Sequence, residues 1–95
     1  MTSPFRIACL QINTGNDLAA NLATLSDMVA EAARGGARFV LTPEYSLMMD
    51  GSGRVMRERA LPEDGGEALA QLRALAREQQ VWLLLGSLTL KTGDE

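Results

Sequence analysis

Three apolar runs separated by two stretches of helical periodicity constrain this chain more than any other feature. "FRIACLQI", residues 5–12, is mostly apolar and reads as a strand. "NTGND" follows, with turn chemistry and with Asn and Asp available as helix caps. Leu18, Leu22, Leu25, Val29 and Ala32 then recur at spacings of four, three, four and three. Those residues share one face of an amphipathic helix over about residues 17–34. "RGG" at 34–36 ends it, since glycine readily takes the left-handed position after a helix. "RFVLT", residues 38–42, is the second strand, stopped by Pro43. "SLMMDGSGRVMRERALPEDGG" makes a long connection with room for a short helical piece. Leu69, Leu72, Leu75 and Ala76 mark a second helix over about residues 66–79. "VWLLLGSLTL", residues 81–90, is the third strand, and "KTGDE" is a turn.

The order β-α-β-α-β implies an α/β fold with parallel strands and right-handed crossovers. Near-continuous apolar strands imply a sheet covered on both faces. Two strand orders satisfy this pattern differently. If the strands lie side by side in sequence order, both helices fall on one face and the other face needs a partner layer. If the order is 2-1-3, the helices cover both faces.

Composition removes whole classes of chemistry. The chain has no histidine, which excludes Ser-His-Asp and Cys-His nucleophile systems within it, and HExxH metal sites as well. The single cysteine, Cys9, cannot form an intrachain disulfide or hold a structural zinc. Acid–base work therefore falls to Glu, Asp, Tyr or the single lysine, Lys91. A formal charge of −3, with arginines interspersed among acids, gives no electrostatic case for nucleic acid. The start "MTSPFRIACLQIN" lacks the cationic region and long apolar run of a signal peptide. "VWLLLGSLTL" is about half of the roughly 20 residues that span a bilayer. A soluble, reduced, cytosolic protein without a cofactor is the expectation.

The stretch "FVLTPEYS", residues 39–46, holds the leading candidate. Thr42-Pro43-Glu44 reads as a helix start, with Thr as N-cap, Pro at the first position and an acid in the first turn. Glu44 also lies two residues past the carboxyl end of a strand, where open α/β sheets bind ligands. An apolar approach there would desolvate the carboxylate and suit it to general-base work. The two readings are compatible. Cys9, flanked by Ala8 and Leu10, reads as inert packing inside a buried strand. Lys91 reads as an exposed lysine in a turn, and Ser46 lacks both a nucleophile elbow and a histidine base. Arg54, Arg57 and Arg59 are placed either to clamp a substrate carboxylate or to form a solvated face. Met48 and Met49 read as core filler or as a pocket wall. "NTGND" holds one glycine and no dinucleotide fingerprint, which counts against a complete nucleotide-binding domain.

Taken together, "RIACLQIN", "NLATLSDMVAEAARGGARFVLTPEYS" and "ALAREQQVWLLLGSL" resemble the amino-terminal part of the nitrilase superfamily, the carbon–nitrogen hydrolases. The resemblance covers about residues 5–90 and is most specific at the strand leading into Pro43-Glu44. "LTPEYSLMM" and "VWLLLGSL" lean towards the omega-amidase and deaminated-glutathione amidase branch. The resemblance implies a four-layer α-β-β-α sandwich, in which a second sheet covers the bare face. It also implies a Glu-Lys-Cys triad acting on a small amide, with Glu44 as general base, the one residue carried over; Tyr45 and Met49, on the same stretch, are the substrate-binding candidates. The family's lysine and cysteine lie in motifs this chain does not contain, and neither Lys91 nor Cys9 matches their setting. The expectation is therefore a partial domain over residues 1–95, truncated in the turn at "TGDE" and inactive alone. The full-length family commonly forms homo-oligomers. The alternative is a small non-catalytic α/β module that holds a ligand at the strand ends.

Overall fold

The computed structural model describes residues 5–91. It contains β1 (Arg6–Cys9), α1 (Leu18–Arg34), β2 (Ala37–Leu41), α2 (Gly53–Glu58), α3 (Gly66–Gln79) and β3 (Trp82–Leu84). The strands form one parallel sheet in the order β1-β2-β3. The sequence-order alternative is the one realised.

Local chemistry accounts for the helix ends. The Asp17 side chain accepts a hydrogen bond from the Ala20 N–H at 3.1 Å and caps α1. At its far end Gly36 takes φ +97°, a conformation that disfavours side chains. Ser52 caps α2 in the same way as Asp17 caps α1. The α3 start is built by Gly65 and Gly66, both at positive φ, with the Asp64 carboxylate accepting the Gly66 N–H at 2.9 Å.

Both long helices cover one face of the sheet. Leu25 of α1 and Ala68 and Leu72 of α3 join Leu47 and Leu61 in one buried cluster, against which Leu83 and Leu85 pack. Val29 joins Ala37 and Val40 in a second, with Ala8, Leu10 and Leu83 around it. Full burial of a side chain of this size contributes about 1.5–3 kcal/mol.

The opposite face carries the other half of each strand, because successive residues alternate sides. Register places Ile7, Phe39 and Trp82 in one row across it and Cys9, Leu41 and Leu84 in the next. Ile7, Trp82 and Leu84 are 56%, 77% and 54% exposed. Cys9 is exposed as well. The expectation of a sheet covered on both faces, and of a buried Cys9, therefore fails for residues 5–91. Two helices on one face leave nothing within these residues to cover the other.

The third strand is also shorter than residues 81–90. The Thr42 N–H donates to the Leu84 carbonyl at 3.0 Å, but the Gly86 N–H that follows goes to the Thr42 hydroxyl and not to a backbone carbonyl, so the ladder stops. Past that point the chain leaves the sheet. Near Leu90 it pairs instead with Leu61: the Leu61 N–H donates to the Thr89 carbonyl, and the Lys91 N–H to the Leu61 carbonyl. The turn expected at 91–95 lies outside the described residues apart from Lys91.

Candidate active site

The carboxyl end of β2 runs into Thr42-Pro43-Glu44-Tyr45, and no helix begins there. The helix-start reading is corrected by where the Thr42 hydroxyl goes. Its Oγ1 accepts the Gly86 N–H at 3.1 Å and lies 3.1 Å from the buried Ser46 hydroxyl, so it does not cap a helix. Tyr45 takes φ 52°, which turns the chain out of any right-handed helical course. A non-glycine residue held there costs on the order of 1–3 kcal/mol, offset by surrounding contacts. One such contact is the Ser87 Oγ, which accepts the Tyr45 N–H at 3.0 Å.

The loop is tied from a second side. The Asn21 side chain, on α1, donates both to the Gly15 carbonyl and to the Leu47 carbonyl, each at 2.8 Å. The Met49 N–H donates to the Gly15 carbonyl at 2.8 Å. Leu47 and Met48 are buried beneath the loop. Glu44, Tyr45 and Met49 are exposed on it. The loop is thus anchored by its interior residues while its outward side chains meet solvent. Residues 5–91 do not supply the burial that would desolvate the Glu44 carboxylate. Beside Tyr45, the crevice lined by Leu47, Met48, Leu61, Ser87, Leu88 and Thr89 is too small for a substrate.

The sequence that builds this sheet and loop matches a known family. The model described as carbon-nitrogen hydrolase covers residues 6–95 of this chain. The chain belongs to the carbon–nitrogen hydrolases, within the nitrilase superfamily. Two relatives, "Hydrolase MT0498" and "Hydrolase Rv0480c", come from two strains of Mycobacterium tuberculosis. Each is 38% identical to it over 89 residues, which is 94% of this chain. The chain spans 30% of the length of these curated relatives.

The other candidates of this carbon–nitrogen hydrolase segment stand apart from Glu44 in role. Cys9 sits on the uncovered sheet face, in register with Leu41 and Leu84. Lys91 is exposed next to the Leu61–Leu90 bridge. Arg54 pairs with Glu58 at 3.1 Å on an exposed helix face, a contact that contributes little. The Arg59 guanidinium donates to the Asn16 carbonyl at 2.6 Å and ties α2 to the loop before α1. These arginines therefore form a solvated face with one loop staple. Met48 is buried and Met49 exposed, so filler and surface roles divide between them.

Asp50 anchors the far end of the loop. Its carboxylate accepts the Ser52 N–H at 2.8 Å and the Asn16 amide at 2.7 Å, and Arg59 adds a favourable charge. These hold its pKa below the usual 3.8, the Ser52 bond contributing most and desolvation opposing. Among the described residues, no group of three His, Cys, Asp or Glu side chains is placed to hold a metal ion. No helix there is long and apolar enough to cross a membrane.

Sequence reasoning missed Gly86, Ser87 and Asn21. The first had a signal: a glycine inside an apolar strand run often marks close approach of another backbone. Asn21 had none, because its partners, the Gly15 N–H and the Gly15 and Leu47 carbonyls, are backbone groups whose positions depend on the folded loop.

Proposed function

We propose that this segment supplies the general base of a Glu-Lys-Cys amidase, and that Glu44 is that base. Family membership and the place of Glu44, on an anchored loop at the carboxyl end of β2, carry the reading. The lysine and cysteine come from polypeptide outside residues 1–95. A second sheet from that polypeptide covers Ile7, Phe39 and Trp82 and completes an α-β-β-α sandwich. Its closure also removes water from around Glu44.

The reaction then runs in two halves. Glu44 takes the thiol proton of the cysteine, and the thiolate attacks the amide carbon. The lysine stabilises the oxyanion as it develops. The C–N bond breaks, the amine leaves with the proton returned by Glu44, and a thioester remains. Glu44 next takes a proton from water as it attacks the thioester, the C–S bond breaks to release the acid, and Glu44 returns the proton to the departing thiolate. Tyr45 and Met49, exposed on the same loop, flank the substrate. "LTPEYSLMM" and "VWLLLGSL" favour a small amide of the omega-amidase kind. A cytoplasmic homo-oligomer is the form proposed for the complete enzyme.

The test starts from the DNA downstream of codon 95. A lysine in a basic-aromatic motif followed by a cysteine at a strand-to-helix elbow is the expected continuation. In the complete reading frame, Glu44→Gln should lower kcat for small amides by about 10²–10⁴. Cys9→Ala should leave it unchanged. Full activity in the Glu44→Gln enzyme would sink the assignment. A continuation without lysine or cysteine would favour the ligand-binding module instead.

A further inference from the structure

We infer that Gly86 and Ser87, just past the end of β3, are positioning residues for Glu44. The inference rests on Glu44 acting as the base. Its grounds are three contacts that bracket one peptide unit.

A Cβ on Gly86 would lie 2.6 Å from both the carbonyl carbon and oxygen of Pro43, and 2.7 Å from the Glu44 nitrogen. Those three atoms are the peptide that carries Glu44. Real side chains do not approach so closely, so the peptide rests on Gly86 in a way only glycine permits. The φ of Gly86 lies outside the left-handed region, so what requires glycine here is room, not conformation. On the side before Glu44, the Gly86 N–H donates to the Thr42 Oγ1 at 3.1 Å. On the side after it, the Tyr45 N–H donates to the Ser87 Oγ at 3.0 Å. The backbone of Glu44 is therefore tied on both flanks and backed in the middle by two consecutive residues of a different strand end.

The ties also account for the left-handed Tyr45. Without an acceptor at Ser87, the Tyr45 N–H loses its partner and the turn loses the contact that holds φ at 52°. The Cα of Glu44 is the adjacent pivot. Relaxing the turn moves the root of the carboxylate, and a misplacement of about 1 Å can cost roughly 10²-fold in rate. Neither Gly86 nor Ser87 needs to touch substrate for this.

The experiment uses the complete reading frame, with Ser87→Ala, Ser87→Thr and Gly86→Ala beside Glu44→Gln. Ser87→Ala removes one acceptor and little volume. It should lower kcat by about 10- to 100-fold, a larger change than any in KM, because the displaced group is the one that handles the reacting proton. Exchange of the Tyr45 amide hydrogen should speed up in the same variant. Ser87→Thr keeps the hydroxyl and should recover most of kcat. Gly86→Ala should lose at least as much as Ser87→Ala. If it fails to fold, the Ser87 pair still decides. Wild-type kcat in Ser87→Ala, or a change confined to KM, would overturn the inference provided Glu44→Gln is inactive. If Glu44→Gln itself keeps wild-type kcat, the base assignment falls instead, so the two failures are separable.

Discussion

Thr42 shows how one hydroxyl can be read correctly as a local anchor and wrongly as to what it anchors. Thr before Pro and an acid suits a helix start, and residues 42–44 have that composition. Its partner is the N–H of Gly86, 44 residues away, which no local rule weighs. Thr42 is 8% exposed and Ser46 1%, so both hydroxyls depend on one another. Thr42→Val should cost about 1–3 kcal/mol, measured as a lower denaturant midpoint at unchanged slope, because it strands the Gly86 N–H and the Ser46 hydroxyl. Asp50 gives the pH-dependent counterpart. Its folded pKa is depressed below 3.8, so the stability it adds is present above that value and is lost as pH falls through the folded pKa. Asp50→Asn should flatten that part of an acid-unfolding profile and leave the neutral limb's slope unchanged. Glu44 was legible as a candidate because it needs only a strand end and an acid. The residues that hold it were not, because each is defined by a contact across the fold.

At the scale of elements, the helices were the readable part. Leu25 and Val29 recur at helical spacing and are the buried residues of α1, and Leu72 plays that part in α3 with Ala68. Period and burial coincide because each helix has one neighbour layer. Leu72→Ala should therefore cost about 2–5 kcal/mol in chemical denaturation, as the side chain is 1% exposed in the main cluster. Asp17→Ala should cost about 1 kcal/mol through loss of the α1 cap. Strands were less readable at their ends. "VWLLLGSLTL" is apolar throughout, yet only Trp82–Leu84 joins the sheet. Hydrophobicity does not report where the ladder ends, and that happens where the Gly86 N–H turns to the Thr42 hydroxyl. The same apolar run then serves a second purpose near Leu90, closing on Leu61.

For the whole molecule, the strand order was the undecided quantity, since both orders bury the same helix faces and differ only in what covers the other side of the sheet. The order β1-β2-β3 leaves Ile7 and Trp82 more than half exposed in one row, with Leu84 in the next and Phe5 nearby at 58%. Soluble monomers rarely expose contiguous apolar patches beyond a few hundred Å², and these rows place several large apolar side chains side by side in the open. Residues 1–95 purified alone should therefore bind a hydrophobic dye and self-associate as concentration rises. Trp82→Ser with Ile7→Thr should reduce both without loosening the helix-side core, because neither residue belongs to the two buried clusters. Extending the chain by its natural continuation should abolish dye binding in the unmodified sequence, since the proposed second sheet lies on these residues. A cooperative thermal transition in a dye-free monomer of residues 1–95 would contradict this. It would mean that the open face is stable in water, and the case for a covering layer would then rest on family likeness alone.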